Sequence, residues 1–286
     1  MKVWILRILG GLVGLVVIAL STVFVLSDRE INKRHAFKEY PISIPSDSAS
    51  LAQGQRLVTM HCAGCHGDSL QGNPSFYDEP MIARIATPNV PARLASLTDA
   101  EFAGFMRSGV RKNGTSPFIM PPPGFYHVSD ADLGALIAYL RKLPVPATTT
   151  APNEYRMLGR FGVLMGQFKT SVAEFDTTQQ RVGQDSTWAT TRHGEYLARL
   201  ICTECHGIHL TGEAGPPAAT PSLAMALGYS ADEFKNLLRT GTPRSPTTQL
   251  TLMAETARRS LTHLTDAEIG AIYEYLKALP ATGVGR

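Results

Sequence analysis

The longest apolar run lies near the start of the chain. Ile8 to Leu26 carries no charge, follows Lys2 and Arg7, and is succeeded by the charged stretch Asp28 to Arg34. As a helix its 19 residues would be about 28 Å long, close to a hydrocarbon core of about 30 Å. Farther along, apolar residues recur at helical spacing. Leu51, Leu57 and Val58 form one such set, and Leu197, Leu200 and Ile201 another. Leu133, Leu136, Ile137 and Leu140, and again Ile269, Ile272, Tyr273 and Leu276, each mark one face of a helix that stops at Leu-Pro. Thr98 with Glu101, Ser230 with Glu233 and Thr265 with Glu268 fit capping boxes, and Ser129 with Asp132 a weaker one. No segment reads as a long alternating strand. The expected fold class is all-α, with an N-terminal transmembrane helix ahead of two helical units.

Two units are expected because the sequence repeats itself. Cys62-Ala63-Gly64-Cys65-His66 returns as Cys202-Thr203-Glu204-Cys205-His206. Gly54 and Gly194 precede the two motifs at the same distance, and both copies continue as C-H-G-x-x-L-x-G through Gly67, Leu70 and Gly72 or Gly207, Leu210 and Gly212. Thr87-Pro88-Asn89-Val90 then matches Thr220-Pro221-Ser222-Leu223, and Arg107-Ser108-Gly109 matches Arg239-Thr240-Gly241. Asp130–Pro144 and Asp266–Pro280 are identical at 8 of 15 positions. Such a repeat marks duplicated structural units. The expected organisation is a tip and anchor over 1–27, an extended linker over 28–46, a first domain over 47–147, a linker over 148–187 and a second domain over 188–282. Within 148–187, Tyr155, Leu158, Phe161, Val163, Leu164, Phe168 and Phe175 are too apolar for a bare tether, so this stretch is expected to pack across the units.

The repeated motif uses all four cysteines. C-x-x-C-H is the attachment signal for c-type haem, with two thiols forming thioethers and the adjacent imidazole becoming an axial iron ligand. A zinc site would need a second ligand pair near each motif, and a redox C-x-x-C would sit in a β-α-β pattern; neither is present in the sequence. Two covalently bound haem c groups are therefore the expected cofactors.

Composition changes little in this picture. The net charge is +3, from 27 basic and 24 acidic residues, so no electrostatic field calls for nucleic acid. The N-terminal run also admits a cleavable signal, with Ala19-Leu20-Ser21 as the small-residue site. The run continues through Thr22 to Leu26, longer than a typical signal core, which favours a retained anchor crossing the membrane through residues 8–26.

A helix, C-x-x-C-H, a Gly/Pro-rich middle, a late methionine and a last helix ending in Leu-Pro together resemble a class I cytochrome c domain. Two of them behind one anchor resemble the membrane-anchored dihaem cytochromes c of bacterial dehydrogenases and respiratory chains. That resemblance covers about residues 47–282. It implies that Cys62 and Cys65 hold one haem with His66 as proximal ligand, and that Cys202, Cys205 and His206 do the same for the other. It implies a distal methionine in each unit: Met120, in Ile119-Met120-Pro121, fits the expected Met-Pro pattern. In the second unit Met253 is the methionine in the right interval, but no proline follows it, and three more residues separate it from the last helix than in the first unit. His263 is a rival, aligned with His127, and an open site is a third possibility. His61, His193 and His209 are read as packed or surface residues, and Met81, Met106 and Met225 as core. Pro74 and Pro216 are candidate carbonyl partners for the proximal imidazoles.

The resemblance further implies electron transfer on the periplasmic side of a bacterial inner membrane. The expected donor is a periplasmic or membrane dehydrogenase, and the expected acceptor a soluble cytochrome or terminal oxidase, with no nucleic acid involved. The competing reading is a dihaem peroxidase or thiosulfate-oxidising enzyme, which would need an open or unusual second site. A haem-based sensor would need a cytoplasmic output module, for which the seven residues before the span leave little room.

Overall fold

The computed structural model describes residues 2–147, 151–175, 181–182, 190–213, 219–245 and 250–279. Helix α1 (Lys2–Ile31) is 30 residues long, and its apolar face meets no core. It is long and apolar enough to cross a membrane.

From Asn32 the chain runs extended along the first unit. The His35 amide donates to the Gly114 carbonyl over 2.8 Å, and the Tyr40 amide to the Ala100 carbonyl over 3.0 Å. Two glycines admit this strap. A Cβ on Gly104 would stand 2.2 Å from the Lys38 carbonyl oxygen, and one on Gly134 2.3 Å from that of Ser43.

The first unit contains α2 (Ser48–His61), α3 (Ala63–His66), α4 (Val90–Ala95), α5 (Asp99–Ser108) and α6 (Asp130–Leu140). It also contains an antiparallel sheet that the sequence pattern did not predict. Strand β1 (Asn73–Glu79) pairs with β2 (Ala83–Thr87), opposing Tyr77 to Ile85, and β3 (Glu154–Tyr155) adds to β2. The reason is physical: β1 lies almost wholly at the surface, so it needs no buried face and no apolar alternation.

Helices α7 (Met157–Leu164) and α8 (Ser171–Glu174) follow. They do not chiefly bridge the units as expected. Helix α7 packs on α1 and on the first unit's sheet, α8 hydrogen-bonds through Ser171 to Pro117, and Leu158, Phe161 and Leu164 are exposed. The second unit repeats the first with α9 (Thr190–Ile201), α10 (Thr203–His206), α11 (Ala231–Thr240), α12 (Thr251–Arg259) and α13 (Asp266–Ala278). Full capping boxes start α5, α11 and α13. Ser129 caps α6 by accepting from the Asp132 amide alone.

In each unit the first and last helices cross at a glycine. A Cβ on Gly54 would lie 2.0 Å from the Ala135 carbonyl oxygen, and one on Gly194 1.9 Å from that of Ala271. Leu57, Val58, Leu133, Leu136 and Leu140 pack around the first crossing, and Leu197, Leu200, Ile269, Ile272 and Leu276 around the second. These two sets belong to one continuous apolar cluster, so the units share a core.

Their interface is reciprocal. Arg56 on α2 makes a bidentate pair with Glu268 on α13, at 2.7 and 2.8 Å, and donates to the His263 carbonyl over 3.1 Å. Tyr196 on α9 donates to Asp132 on α6 over 2.5 Å and accepts from the Ser129 amide over 3.3 Å. Gly54 aligns with Gly194 and Asp130 with Asp266, so Arg56 and Tyr196 occupy equivalent positions, as do Asp132 and Glu268. Each unit thus offers the same helix position to the other's last helix, the pattern of an approximate two-fold axis. Burial raises the Glu268 carboxyl, but the bonds from Arg56 and from the Thr265 amide outweigh it and leave the group below the usual carboxylate range.

Replacing Gly54 by leucine is expected to drive α2 off α6 and cost about 3 kcal/mol or more, read as a fall in the denaturation midpoint. A double-mutant cycle on Arg56→Met and Glu268→Gln should show coupling of about 1–3 kcal/mol by chemical denaturation. Because Glu268 ionises below its unfolded value, that coupling should be full above the ordinary carboxylate range and be lost as pH falls from there through the lower folded value.

Candidate functional site

Each C-x-x-C-H motif forms a short helix directly after the long helix that carries it. In the first unit the His66 amide donates to the Cys62 carbonyl over 2.9 Å, and in the second the His206 amide donates to that of Cys202 over 2.9 Å. This single turn puts two sulfurs and one imidazole on a common side of the chain. All four thiols are free, so neither motif is a disulfide. Burial pushes the Cys62 thiol up to about 12, which keeps it a neutral sulfur. Among the described residues no group of three or more His, Cys, Asp or Glu side chains converges to hold a metal ion.

After the histidine the chain must turn back sharply. Gly67 and Gly207 have φ of +82° and +76°, and Gly72 and Gly212 of +88° and +87°. Between them Leu70 and Leu210 hold φ of +55° and +59°, a region that side chains seldom occupy. Both leucines are buried in the shared core, and the Leu70 and Leu210 carbonyls accept from the Val90 and Leu223 amides over 3.0 and 2.9 Å. Packing and hydrogen bonding hold the strained residue in both copies.

The turn delivers a Thr-Pro pair to the motif. His66 Nδ1 lies 2.8 Å from the Pro88 carbonyl oxygen, and His206 Nδ1 2.8 Å from that of Pro221. A carbonyl can only accept, so Nδ1 carries the proton and Nε2 keeps its lone pair. The preceding threonines donate back to the motifs: Thr87 Oγ1 to the Cys65 carbonyl over 2.8 Å, and Thr220 Oγ1 to that of Cys205 over 2.6 Å. These partners correct the expectation of Pro74 and Pro216. Pro74 sits in β1, and Pro216 lies outside the described residues. The signal was present in the repeat, since Thr-Pro recurs in both units at matching places. Burial lowers both imidazoles below the ordinary histidine range, outweighing the carbonyl bonds.

Met120 lies in an irregular loop, part-buried against the core. The loop beyond it is clamped by Arg107, whose buried guanidinium donates to the Phe125 and Val128 carbonyls and pairs with Asp130 at 2.6 Å. Its counterpart Arg239 donates to the Thr262 carbonyl over 2.9 Å and pairs with Asp266 at 2.7 Å. Met253 reaches the same core from a different local structure, the first turn of α12, and is also part-buried. Gly241 lets that turn approach, since a Cβ there would lie 2.4 Å from the Ala254 Cα. The extra residues of the second unit are thus taken up by a helix in place of a proline loop. His263 is exposed, with its carbonyl bonded to Arg56, whereas the aligned His127 is buried. Of the methionines read as core, Met106 is buried, but Met81 and Met225 are exposed because each lies in a surface segment.

The turn after Met120 reaches the second motif across the interface. A Cβ on Gly124, in the turn Pro123–Tyr126 that follows Met120, would lie 2.9 Å from Thr203 Oγ1 inside the second motif. Burial, with the Glu204 carboxylate a smaller contributor, pushes the Cys65 thiol up to about 11.

The geometry meets the demands of covalent haem attachment: paired neutral sulfurs, an oriented imidazole and an apolar surround. Comparison with known proteins agrees. Residues 51–144 match the family described as "Cytochrome c", and residues 189–276 the family described as "Cytochrome C oxidase, cbb3-type, subunit III". The chain is 28% identical over 277 aligned positions to the gluconate 2-dehydrogenase cytochrome c subunit of Pantoea cypripedii, covering 82% of this chain and 61% of that one. It is 25% identical over 298 positions to the fructose dehydrogenase cytochrome subunit of Gluconobacter japonicus, covering 92% and 59%. Identity to the cytochrome c subunit of the quinone alcohol dehydrogenase of Gluconobacter oxydans is 25% over 280 positions, covering 84% and 57%. The chain therefore spans about three fifths of the length of these relatives. The chain belongs to the c-type cytochromes, with two cytochrome c domains in tandem.

Proposed function

We propose that this chain is a membrane-anchored dihaem cytochrome whose domains face the periplasm. It carries electrons from a periplasmic or membrane dehydrogenase to a downstream soluble cytochrome or terminal oxidase. One observation supports it above others: the same sulfur–imidazole–carbonyl arrangement is built twice, in two units that share one apolar core. The cytochrome subunits of dehydrogenases among its relatives point to a dehydrogenase as donor.

Cys62 and Cys65 would hold one haem c and Cys202 and Cys205 the other, with His66 and His206 as proximal ligands and Met120 and Met253 as distal ones. When bound, haem c supplies a one-electron ferric/ferrous couple whose potential a thioether ligand raises relative to a second imidazole. The protein supplies position and environment. The Pro88 and Pro221 carbonyls aim the imidazoles and increase their basicity. The Arg107 and Arg239 clamps tie each loop to the last helix, so the distal side keeps its shape between redox states. The shared apolar cluster backs both sites. Anchoring through residues 8–26 of α1 would confine the pair to the membrane surface.

Met253→Ala should remove the weak thioether-to-iron absorption band of one haem and lower that haem's potential in a redox titration, and Met120→Ala should do the same for the other. An unchanged spectrum would exclude that methionine as ligand. Little carbon monoxide should bind the reduced wild-type protein, because Met120 and Met253 would occupy the position that the gas must take. Rapid stoichiometric binding at one haem would instead indicate an open site and the dihaem enzyme.

A further inference from the structure

Helix α7 wears its hydrophobic face on the outside. Met157, Leu158, Phe161, Leu164 and Met165 recur at helical spacing on one side and are 39%, 51%, 51%, 37% and 61% exposed. The side turned to the protein is made of small residues. A Cβ on Gly159 would lie 2.2 Å from the Ile82 carbonyl oxygen, one on Gly162 would lie 2.6 Å from the Phe168 ring, and Val163 is buried. A soluble surface helix has the opposite polarity. A contiguous apolar stripe of this kind marks an interaction site.

Its position selects the partner. Arg160, between the two glycines, donates to Ser27 Oγ over 3.1 Å and to the Phe24 carbonyl over 3.4 Å. Its guanidinium lies 3.9 Å from the centre of the Phe24 ring and 3.7 Å from Asp28. Phe24 belongs to the end of the uncharged run Ile8–Leu26, and Asp28 opens the charged stretch beyond it. Helix α7 is therefore pinned where α1 passes from apolar to charged, the level at which a spanning helix leaves the hydrocarbon. The exposed stripe continues the exposed apolar surface of α1, in which Leu20, Phe24 and Val25 are 45%, 50% and 49% exposed.

We propose that α7 is an interfacial membrane helix. Its Met157–Met165 stripe lies among lipid chains at the bilayer surface beside α1, giving the first domain a second point of attachment. This rests on the membrane-anchor reading of α1. A spanning helix alone would let the domains swivel; a second contact, clasped to the first by Arg160 and to the sheet by Gly159, sets which face of the protein points away from the membrane.

The test uses the full haem-loaded chain in vesicles of phosphatidylethanolamine and phosphatidylglycerol. It is photolabelled in parallel with a lipid-partitioning diazirine and a water-soluble one, and the peptides are quantified by mass spectrometry. The lipid-phase reagent should label residues 157–169 roughly fivefold or more above α13, and label α1 as well. The double variant Phe161→Glu with Leu164→Glu, at two exposed positions, should lose the α7 label and keep that of α1, with haem spectra unchanged. Lipid-phase labelling of α1 without α7 would overturn the interfacial helix and leave the anchor standing. Labelling of neither would overturn the anchor and with it this inference. Protection of α7 from both reagents would mean that a protein surface covers the stripe, and would also overturn it.

Discussion

The hydrogen bond from each motif histidine to a prolyl carbonyl is the constraint around which both units are organised. To bring Pro88 within 2.8 Å of His66 Nδ1, the chain must reverse within a few residues of the motif. That reversal calls for positive φ at Gly67, Leu70 and Gly72. Leucine in such a conformation is held only because its side chain is buried and its carbonyl is bonded, so the turn requires the core and the core requires the turn. Thr87 locks the returning strand to the Cys65 carbonyl from the other side. The second unit reproduces each of these contacts with Gly207, Leu210, Gly212, Thr220 and Pro221. Duplication has preserved the cradle while the surrounding loops diverged.

The divergence falls where a redox protein can use it. The first unit brings Met120 to the core on a proline-braced loop and covers one flank with a small sheet; the second brings Met253 on the first turn of a helix. Both retain the arginine that ties the end of this region to the start of the last helix. Two sites with the same histidine–carbonyl geometry and differently built methionine segments would suit different potentials if those methionines are iron ligands, since axial ligation and its surroundings set that property.

The interface between the units follows from the repeat as well. Equivalent helix positions, Arg56 and Tyr196, reach equivalent carboxylates, Glu268 and Asp132, although one pair is ionic and the other a hydroxyl–carboxylate bond. An approximate two-fold axis is the simplest way for two copies of one surface to satisfy each other. It also sets the first unit's turn at Gly124 against the second motif, over a single continuous core.

By itself the sequence determined the helical class, the duplication and the repeated C-H-G-x-x-L-x-G, because C-x-x-C-H, recurring glycines and capping boxes are local chemistry that any surrounding fold must accommodate. It also contained the Thr-Pro clasp in plain repeat, but which proline met the imidazole depended on how far the turn carried the chain. The surface sheet left no trace because a solvent-facing ribbon needs no alternation of apolar residues. The segment between the units misled for a related reason. Its apolar residues promised burial, yet Leu158, Phe161 and Leu164 point outward, and only the contacts of Gly159, Arg160 and Gly162 reveal which face is turned inward. Periodicity identifies a helix with an apolar side. Tertiary structure alone decides whether that side meets protein or the surroundings, because the answer lies in what stands opposite it.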